Sequence, residues 1–477
     1  MANPLQVFTT LPDASLFGFP PTNVPAPIPP IAVPASIMRP FNIPDHIFVA
    51  ALDYTVPLTI ATLYAVTIKS LNVYNKAHNK KPWAISQTRP FFAFVVLHNV
   101  FLAVYSAWTF WGMLSGMRRS ILNPMGPDGL VGTVDSFCRL HGSSGPGNSI
   151  YYNEASSSFL SAATDAPIAD GIPSRTEMGR MWNEGLAYYG WIFYISKFYE
   201  VLDTFIILAK GKLSSTLQTY HHAGAMLSMW AGMRYMSAPI WMFVLVNSFI
   251  HSLMYFYYTL TAFSIRVPTP IKRTLTSMQI TQFLVGASYA MAHSFVSYSA
   301  PVAVLHTKST TGDEPATPSD SVIPTVAANA IESLKSYIFG DAGVPTPGAE
   351  PDANAPHVEL ISYTKIEHTA QPCITTTGET FAIWLNVLYL APLTYLFVSF
   401  FIASYVKRSN AATKISGKKA TPSVNDNVAL AEKAGWDAAK GIEKEVYGGE
   451  SMVNGSSDET PVTPTSKKAN GKARRRV

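Results

Sequence analysis

Two adjacent histidines, His221 and His222, follow Gln218, Thr219 and Tyr220 at the start of an apolar stretch. On a helix, Gln218 and His222 share a face at i and i+4, while His221 sits about 100 degrees away. A neutral imidazole serves as nucleophile, base or metal ligand, so a histidine pair at the head of an apolar helix points to a polar chamber. Upstream, Lys197, Glu200, Asp203 and Thr204 interrupt another apolar stretch, and spacings of three set the three charges on one helical face. An ion-pair ladder that locks helix packing is one account of them. Three ionisable groups at one depth in hydrocarbon favour a working site, because each is costly there. Downstream, Asn247, His251, Tyr255 and Tyr258 form a single stripe at spacings of four, four and three. Gln279 and Gln282 lie three apart after Thr276, and amide hydrogen bonds between helices account for them equally well. His98, Asn99 and His293 are weaker candidates.

The elements that must position these residues are membrane helices. Of 477 residues, 48% are hydrophobic and only 14% charged, against roughly 25% charged in soluble domains. A mean hydropathy of +0.15 shows that long polar segments dilute the apolar ones. A span needs about 20 predominantly apolar residues. Seven stretches qualify: Phe48 to Ile68, Pro90 to Leu114, Leu186 to Leu208, Leu217 to Met236, Pro239 to Phe263, Thr274 to Tyr298, and Thr380 to Val406. The expected fold is therefore an all-α integral membrane bundle of seven transmembrane helices around an enclosed cavity, over residues 47–408.

Basic residues sort the connections, since cytoplasmic loops are enriched in them. Lys69, Lys76, Lys80, Lys81 and Arg89, then Lys210 and Lys212, then Arg266, Lys272 and Arg273, then Lys407 and Arg408 fall on one side. The alternate connections, residues 115–185 and 300–379, carry 5 and 3 basic residues against 7 and 10 acidic ones. This arrangement places the N-terminus outside and the C-terminus in the cytoplasm. The richest polar clusters then lie toward the cytoplasm, and the rim of Lys210, Lys212, Arg266, Lys272 and Arg273 suits a phosphorylated substrate, although the topology rule alone predicts the same residues. Only two cysteines exist, Cys138 and Cys373. Both land in the outer connections, where a disulfide between them is reasonable and an endomembrane lumen permits it. Residues 1–46 carry nine prolines from Pro20 onward and read as an extended, disordered tail. The Gly-, Pro-, Ser- and Thr-rich outer connections read as inserts without their own packed domain. Residues 409–477 read as a polar, disordered cytoplasmic tail, with a short helix at Val428 to Glu445 and a basic end. No recognition motif accompanies that basic end, so nucleic acid is not expected as a partner.

Lys197-Phe-Tyr-Glu200-Val-Leu-Asp203-Thr204, Gln218-Thr-Tyr-His221-His222, Asn247-Ser-Phe-Ile-His251-Ser-Leu-Met254-Tyr255-Phe-Tyr257-Tyr258 and Thr276-Ser-Met-Gln279-Ile-Thr-Gln282, in that order, resemble the motifs of the ELO family of fatty acid elongases. The resemblance implies a 3-oxoacyl-CoA synthase of the endoplasmic reticulum that condenses a long acyl-CoA with malonyl-CoA, releasing carbon dioxide and CoA. It implies no cofactor and no metal. It implies acyl-CoA, malonyl-CoA and membrane lipid as partners, with the reductases and dehydratase of the elongation cycle alongside, and it leaves a homo-oligomer open. Acyl transfer needs a nucleophile, and both cysteines are expected on the wrong side. An imidazole attacks a thioester to give an acyl-imidazole, itself a good acyl donor. The family pattern gives that role to His221, with His222 as orienting partner or proton carrier. Enolate charge from malonyl-CoA needs donors, for which His251, Asn247 and Tyr255 are candidates. Glu200 and Asp203 then fix imidazole tautomers, and Lys197 balances their charge or meets a CoA phosphate. Thr204, Gln218, Tyr258, Gln279 and Gln282 complete the expected substrate contacts.

The family's usual box is His-x-x-His-His, and Gln218 takes its first position. Glutamine there also occurs in the family and resembles a subgroup associated with polyunsaturated acyl chains. It means that this position is no obligatory metal ligand or base. The main rival reading is a di-iron membrane desaturase or hydroxylase, which needs several histidine boxes. Here, of 11 histidines, only His98, His221, His222, His251 and His293 fall in expected spans. A seven-helix receptor or transporter is disfavoured by the clustered titratable motifs.

Overall fold

In the computed structural model, which describes residues 6–311, 321–324 and 358–415, the seven apolar stretches are all built on helices. Short α1 (Asp45–Ala51) and α2 (Thr55–Ala77) form the first and α3 (Arg89–Ser120) the second, with α4 (Gly129–Cys138) following in the connection. The third begins with a π-helical segment, Trp182–Gly190, kinked at Gly185 (φ 155°), and runs on into α5 (Trp191–Tyr199) and α6 (Val201–Ala209). The fourth is α7 (Thr216–Arg234). The fifth joins α8 (Ile240–Met242), a π-helical segment Phe243–Asn247 and α9 (Ser248–Ala262). Then come α10 (Thr269–His293) and α11 (Thr377–Ile415). Local chemistry sets the starts: Thr88 accepts from the Phe91 amide ahead of Pro90 in the first turn of α3, and Ser215 accepts from the Gln218 amide at the head of α7.

Among the described residues, three helices, Thr55–Ala77, Arg89–Ser120 and Ile240–Ala262, are long and apolar enough to cross a membrane, consistent with an integral membrane protein. Their outward faces carry Leu63, Val66, Leu97, Val104 and Phe256 in exposed positions, the pattern of helices solvated by lipid. The third apolar stretch presses closely on α3. A Cβ on Gly116 would meet the Glu184 carbonyl oxygen at 2.6 Å, so glycine there admits the two backbones to contact.

The all-α expectation fails outside the helices. Strand β1 (Val7–Thr9) lies in the supposed tail. Strands β2 (His141–Gly142), β3 (Ser149–Asn153) and β4 (Ser158–Ser161) make a three-stranded antiparallel sheet, and β5 (Ile168–Ala169) pairs with β6 (Ile172–Pro173). Strand β7 (Val296–Thr311) pairs with β1, with β8 (Ser321–Pro324) and, from Ser297 opposite Pro372 to Thr311 opposite Val358, with β9 (Val358–Pro372). The sixth helix accordingly ends at His293, and Val296 to Tyr298 belong to the sheet rather than to the expected span. β7 and β9 are far apart in sequence, so no local periodicity announces their pairing.

Residues 129–173 are packed. Val131, Cys138, Tyr298, Ala300 and Cys373 form a buried cluster, and a Cys138–Cys373 disulfide joins the end of α4 to the end of β9. Asp135 anchors it, accepting from Arg180 and from the Tyr298 hydroxyl at 2.7 Å each.

The N-terminal segment, expected as a disordered tail, is docked on the helices. Its carbonyls accept from the helices: Ile28 from Trp182, Met38 from Tyr189, Phe41 from Tyr188 and Pro25 from Arg234. Proline removes backbone donors and restricts φ, leaving carbonyls to serve as acceptors at reduced cost in chain entropy. Ile28 and Ile43 are buried in the main core. Residues 416–477, with the expected helix at Val428 to Glu445 and the basic end, and the side chains of Lys272 and Arg273 lie outside the described residues.

Candidate active site

At the α5–α6 junction the Asp203 amide donates to the Glu200 carbonyl at 3.1 Å, a three-residue turn. Three residues per turn stack Lys197, Glu200 and Asp203 on one side. Lys197 Nζ donates to Glu200 Oε1 at 2.7 Å and to Asn247 Oδ1 at 3.2 Å, and lies 4.0 Å from the centre of the Phe193 ring. Ser196 adds a bond to Glu200 Oε1 at 3.2 Å, and His251 Nδ1 stands 3.7 Å from the same oxygen. The π-helical segment ending at Asn247 widens the helix there and sets Asn247 toward Lys197 and His251, one turn on, toward Glu200. Such π segments recur at functional sites.

Asp203 is a second hub. Its Oδ1 lies 2.7 Å from His98 Nε2, and its Oδ2 accepts from the Tyr255 hydroxyl at 2.5 Å. His98 also meets the Tyr199 hydroxyl at 3.3 Å. Thr204 is a third: its hydroxyl meets Tyr64 of α2 at 2.8 Å and receives Gln218 Nε2 at 3.3 Å. The histidine pair stands on α7 beside this network. The two rings are 5.6 Å apart between centres, His222 is buried, and His221 Nδ1 lies 2.9 Å from the Tyr389 hydroxyl of α11. Gln218 Oε1, His251 Nδ1 and Gln282 Oε1 are buried without a hydrogen-bond partner among the described residues. Each such atom costs about 1–3 kcal/mol, which is tolerated where a ligand is to be met.

An open-sided cavity of about 460 Å³ runs between the α8–α9 helix and α10. Met242, Val246, Ile250, Met278 and Val285 make it largely apolar, with Asn247, Thr274, Ser277, Thr281 and Gln282 as polar groups along it. That size and mixture suit an apolar ligand with a few polar groups.

Sequence-predicted residues therefore divide. Lys197, Glu200, Asn247 and His251 come together, as do Asp203 with Tyr255, and Thr204 with Gln218. Asp203 holds His98, one of the weaker candidates, and no hydrogen bond of either carboxylate reaches His221 or His222 among the described residues. Lys197 is spent on Glu200 and Asn247 rather than held out toward solvent. Tyr258 lies against Tyr255 and Tyr257, and Gln279 Nε2 lies 3.2 Å from Met254 Sδ. Tyr64, Tyr199 and Tyr389 were not singled out in sequence, because an aromatic in an apolar helix carries no spacing signal of its own. Among the described residues, no three His, Cys, Asp or Glu side chains are grouped to hold a metal ion.

The family profile described as ELO, the GNS1/SUR4 family, matches residues 49–413. This chain belongs to the ELO family. The ELO match runs from within α1 almost to the end of α11 and takes in every residue of the three hubs. The chain is 28% identical over 123 residues to fatty acid elongase 2 of Trypanosoma brucei brucei, covering 26% of this chain and 45% of that protein. It is 38% identical over 104 residues to fatty acid elongase sre1 of Dictyostelium discoideum, 22% of this chain and 38% of the relative. It is 31% identical over 118 residues to very long chain fatty acid elongase 6 of Drosophila melanogaster, 24% and 36% of the two lengths. The ELO chain thus matches less than half the length of each of these relatives. No solved structure matches it at a significant level.

Proposed function

We propose that this protein is a fatty acid elongase of the endoplasmic reticulum that condenses a long-chain acyl-CoA with malonyl-CoA, acting as an acyltransferase without metal or cofactor. The single observation that carries the reading is a buried hydrogen-bonded network around Lys197, Glu200 and Asp203, built from three helical stretches, with a histidine pair beside it and a largely apolar cavity bordering it at Asn247. His221 attacks the acyl thioester carbon, the C–S bond breaks, and CoA leaves with the proton that the imidazole gives up. Malonyl-CoA loses carbon dioxide, and the resulting enolate carbon attacks the acyl-imidazole. The new C–C bond releases 3-oxoacyl-CoA, and His221 regains a proton from solvent. His222 and His251 carry protons or steady the enolate, with Asn247 and Tyr255 as further donors. Glu200 and Asp203 act through their partners: Glu200 holds Lys197 and Asp203 orients His98 and Tyr255. The cavity takes the acyl chain, and Thr204, Gln218, Tyr258 and Gln279 serve as further substrate contacts.

In this reading seven helical stretches cross the membrane and enclose the chamber together with bound substrate. The N-terminal segment and the disulfide-linked cap lie in the lumen, and the C-terminus is cytoplasmic. Purified protein given acyl-CoA and malonyl-CoA yields 3-oxoacyl-CoA and carbon dioxide in equal amounts, and His221→Ala lowers the rate by about a thousandfold or more. Full rate in His221→Ala overturns the assignment. Stoichiometric iron lost together with activity in that variant would instead place the protein among the di-iron enzymes.

A further inference from the structure

His221 is held at one nitrogen. Its Nδ1 lies 2.9 Å from the Tyr389 hydroxyl, and that same hydroxyl donates to the His221 backbone carbonyl at 3.0 Å. A phenol has one proton to give. With that proton on the carbonyl, the Tyr389 oxygen meets Nδ1 as an acceptor. Nδ1 then carries the imidazole hydrogen and Nε2 carries the lone pair. An unrestrained neutral histidine favours the opposite tautomer, so the state of His221 depends on this bond.

We propose that Tyr389 is a positioning residue that fixes the tautomer of His221 and presents Nε2 as the atom that attacks the acyl group. The inference rests on the acyl-transfer role of His221.

Tyr389 is itself placed by α7. The Tyr220 hydroxyl donates to the Tyr389 carbonyl at 3.2 Å, and the two rings pack 5.7 Å apart. Gly224, one turn beyond His221 on the same face, receives the edge of the Tyr389 ring; a Cβ there would overlap its Cε2 and Cδ2. Glycine at 224 is thus a requirement of the Tyr389 position. Phe283 closes His221 from another side, ring centres 6.0 Å apart, and offers no hydrogen bond. The other ring nitrogen, Nε2, has no partner among the described residues, and the residue is half-buried.

Tyr389→Phe keeps the ring and removes the hydroxyl; Gly224→Ala keeps the hydroxyl and displaces the ring. Purified protein labelled with 15N-histidine reports the tautomer directly. In the unsubstituted protein the Nε2 of His221 resonates as an unprotonated nitrogen, and in both variants it moves toward the protonated position. Acylation by acyl-CoA in a single turnover slows by about tenfold or more, while KM for acyl-CoA stays unchanged, because the substrate contacts are left in place. A protonated Nε2 in the unsubstituted protein overturns the proposal. So does unchanged acylation with an unprotonated Nε2 in Tyr389→Phe. Absence of any acyl adduct on the unsubstituted protein is a different failure: it sinks the acyl-transfer role of His221, while the nitrogen spectrum still decides what Tyr389 does.

Discussion

Lys197 and Glu200 are the most exposed test of how this interior tolerates charge. Both side chains are about 5% accessible, and they are bonded to each other at 2.7 Å. Removing one member of such a pair costs about 3–5 kcal/mol, because the survivor stays buried and uncompensated, whereas removing both costs much less. Lys197→Met is expected to lower the thermal stability of the purified protein sharply, and the double variant with Glu200→Gln to recover more than half of the loss. A double variant no more stable than the single one would show that Glu200 is balanced by something other than Lys197. Spacings of three put Lys197, Glu200 and Asp203 on one helical face, but that Lys197 pairs with Glu200 was only the alternative account of those charges. The partners of Asp203 were not legible in sequence, because His98 is over a hundred positions away and reaches it only once α3 and the third apolar stretch have packed. Tyr389 was invisible for a related reason. Its hydroxyl matters through one contact with α7, and nothing in the sequence around it marks that contact.

Elements were legible to different degrees. Each of the seven apolar stretches is built largely on helix, since hydrophobic length is a local signal, but the ends differ: the first is split at 52–54 and runs on to Ala77, and the last runs on to Ile415. The sixth was read too long: Phe295 to Tyr298 continue the apolar run of α10, but their backbone turns into β7. The sheet and the docked N-terminal segment are long-range features, and proline content alone gave no hint that Ile28 and Ile43 would be buried. The Cys138–Cys373 disulfide closes a separation of 235 residues and binds α4 to β9. In chain-entropy terms a bridge of this kind contributes about 2–4 kcal/mol. Cys138→Ser is expected to lower the melting temperature and to make residues 129–173 and the β7–β9 strand pair exchange amide hydrogens faster, with little change in α2 or α9. Uniform loss of protection across those helices would show that the cap and the bundle unfold as one unit.

At the scale of the whole molecule, His98, Lys197, Glu200, Asp203, Thr204 and Gln218 are buried together in one hydrogen-bonded region of this lipid-facing protein, and a largely apolar cavity borders that region at Asn247. A chain solvated by hydrocarbon keeps charge inside only where it has use for it. The proposed use is one C–C bond formed on an acyl group carried by His221. Intact-protein mass spectrometry after incubation with acyl-CoA alone tests this most directly. The account predicts a mass increase equal to the acyl group less one hydrogen, located on the peptide containing His221, absent from His221→Ala and discharged when malonyl-CoA is added. No adduct, or an adduct that survives His221→Ala, would contradict it.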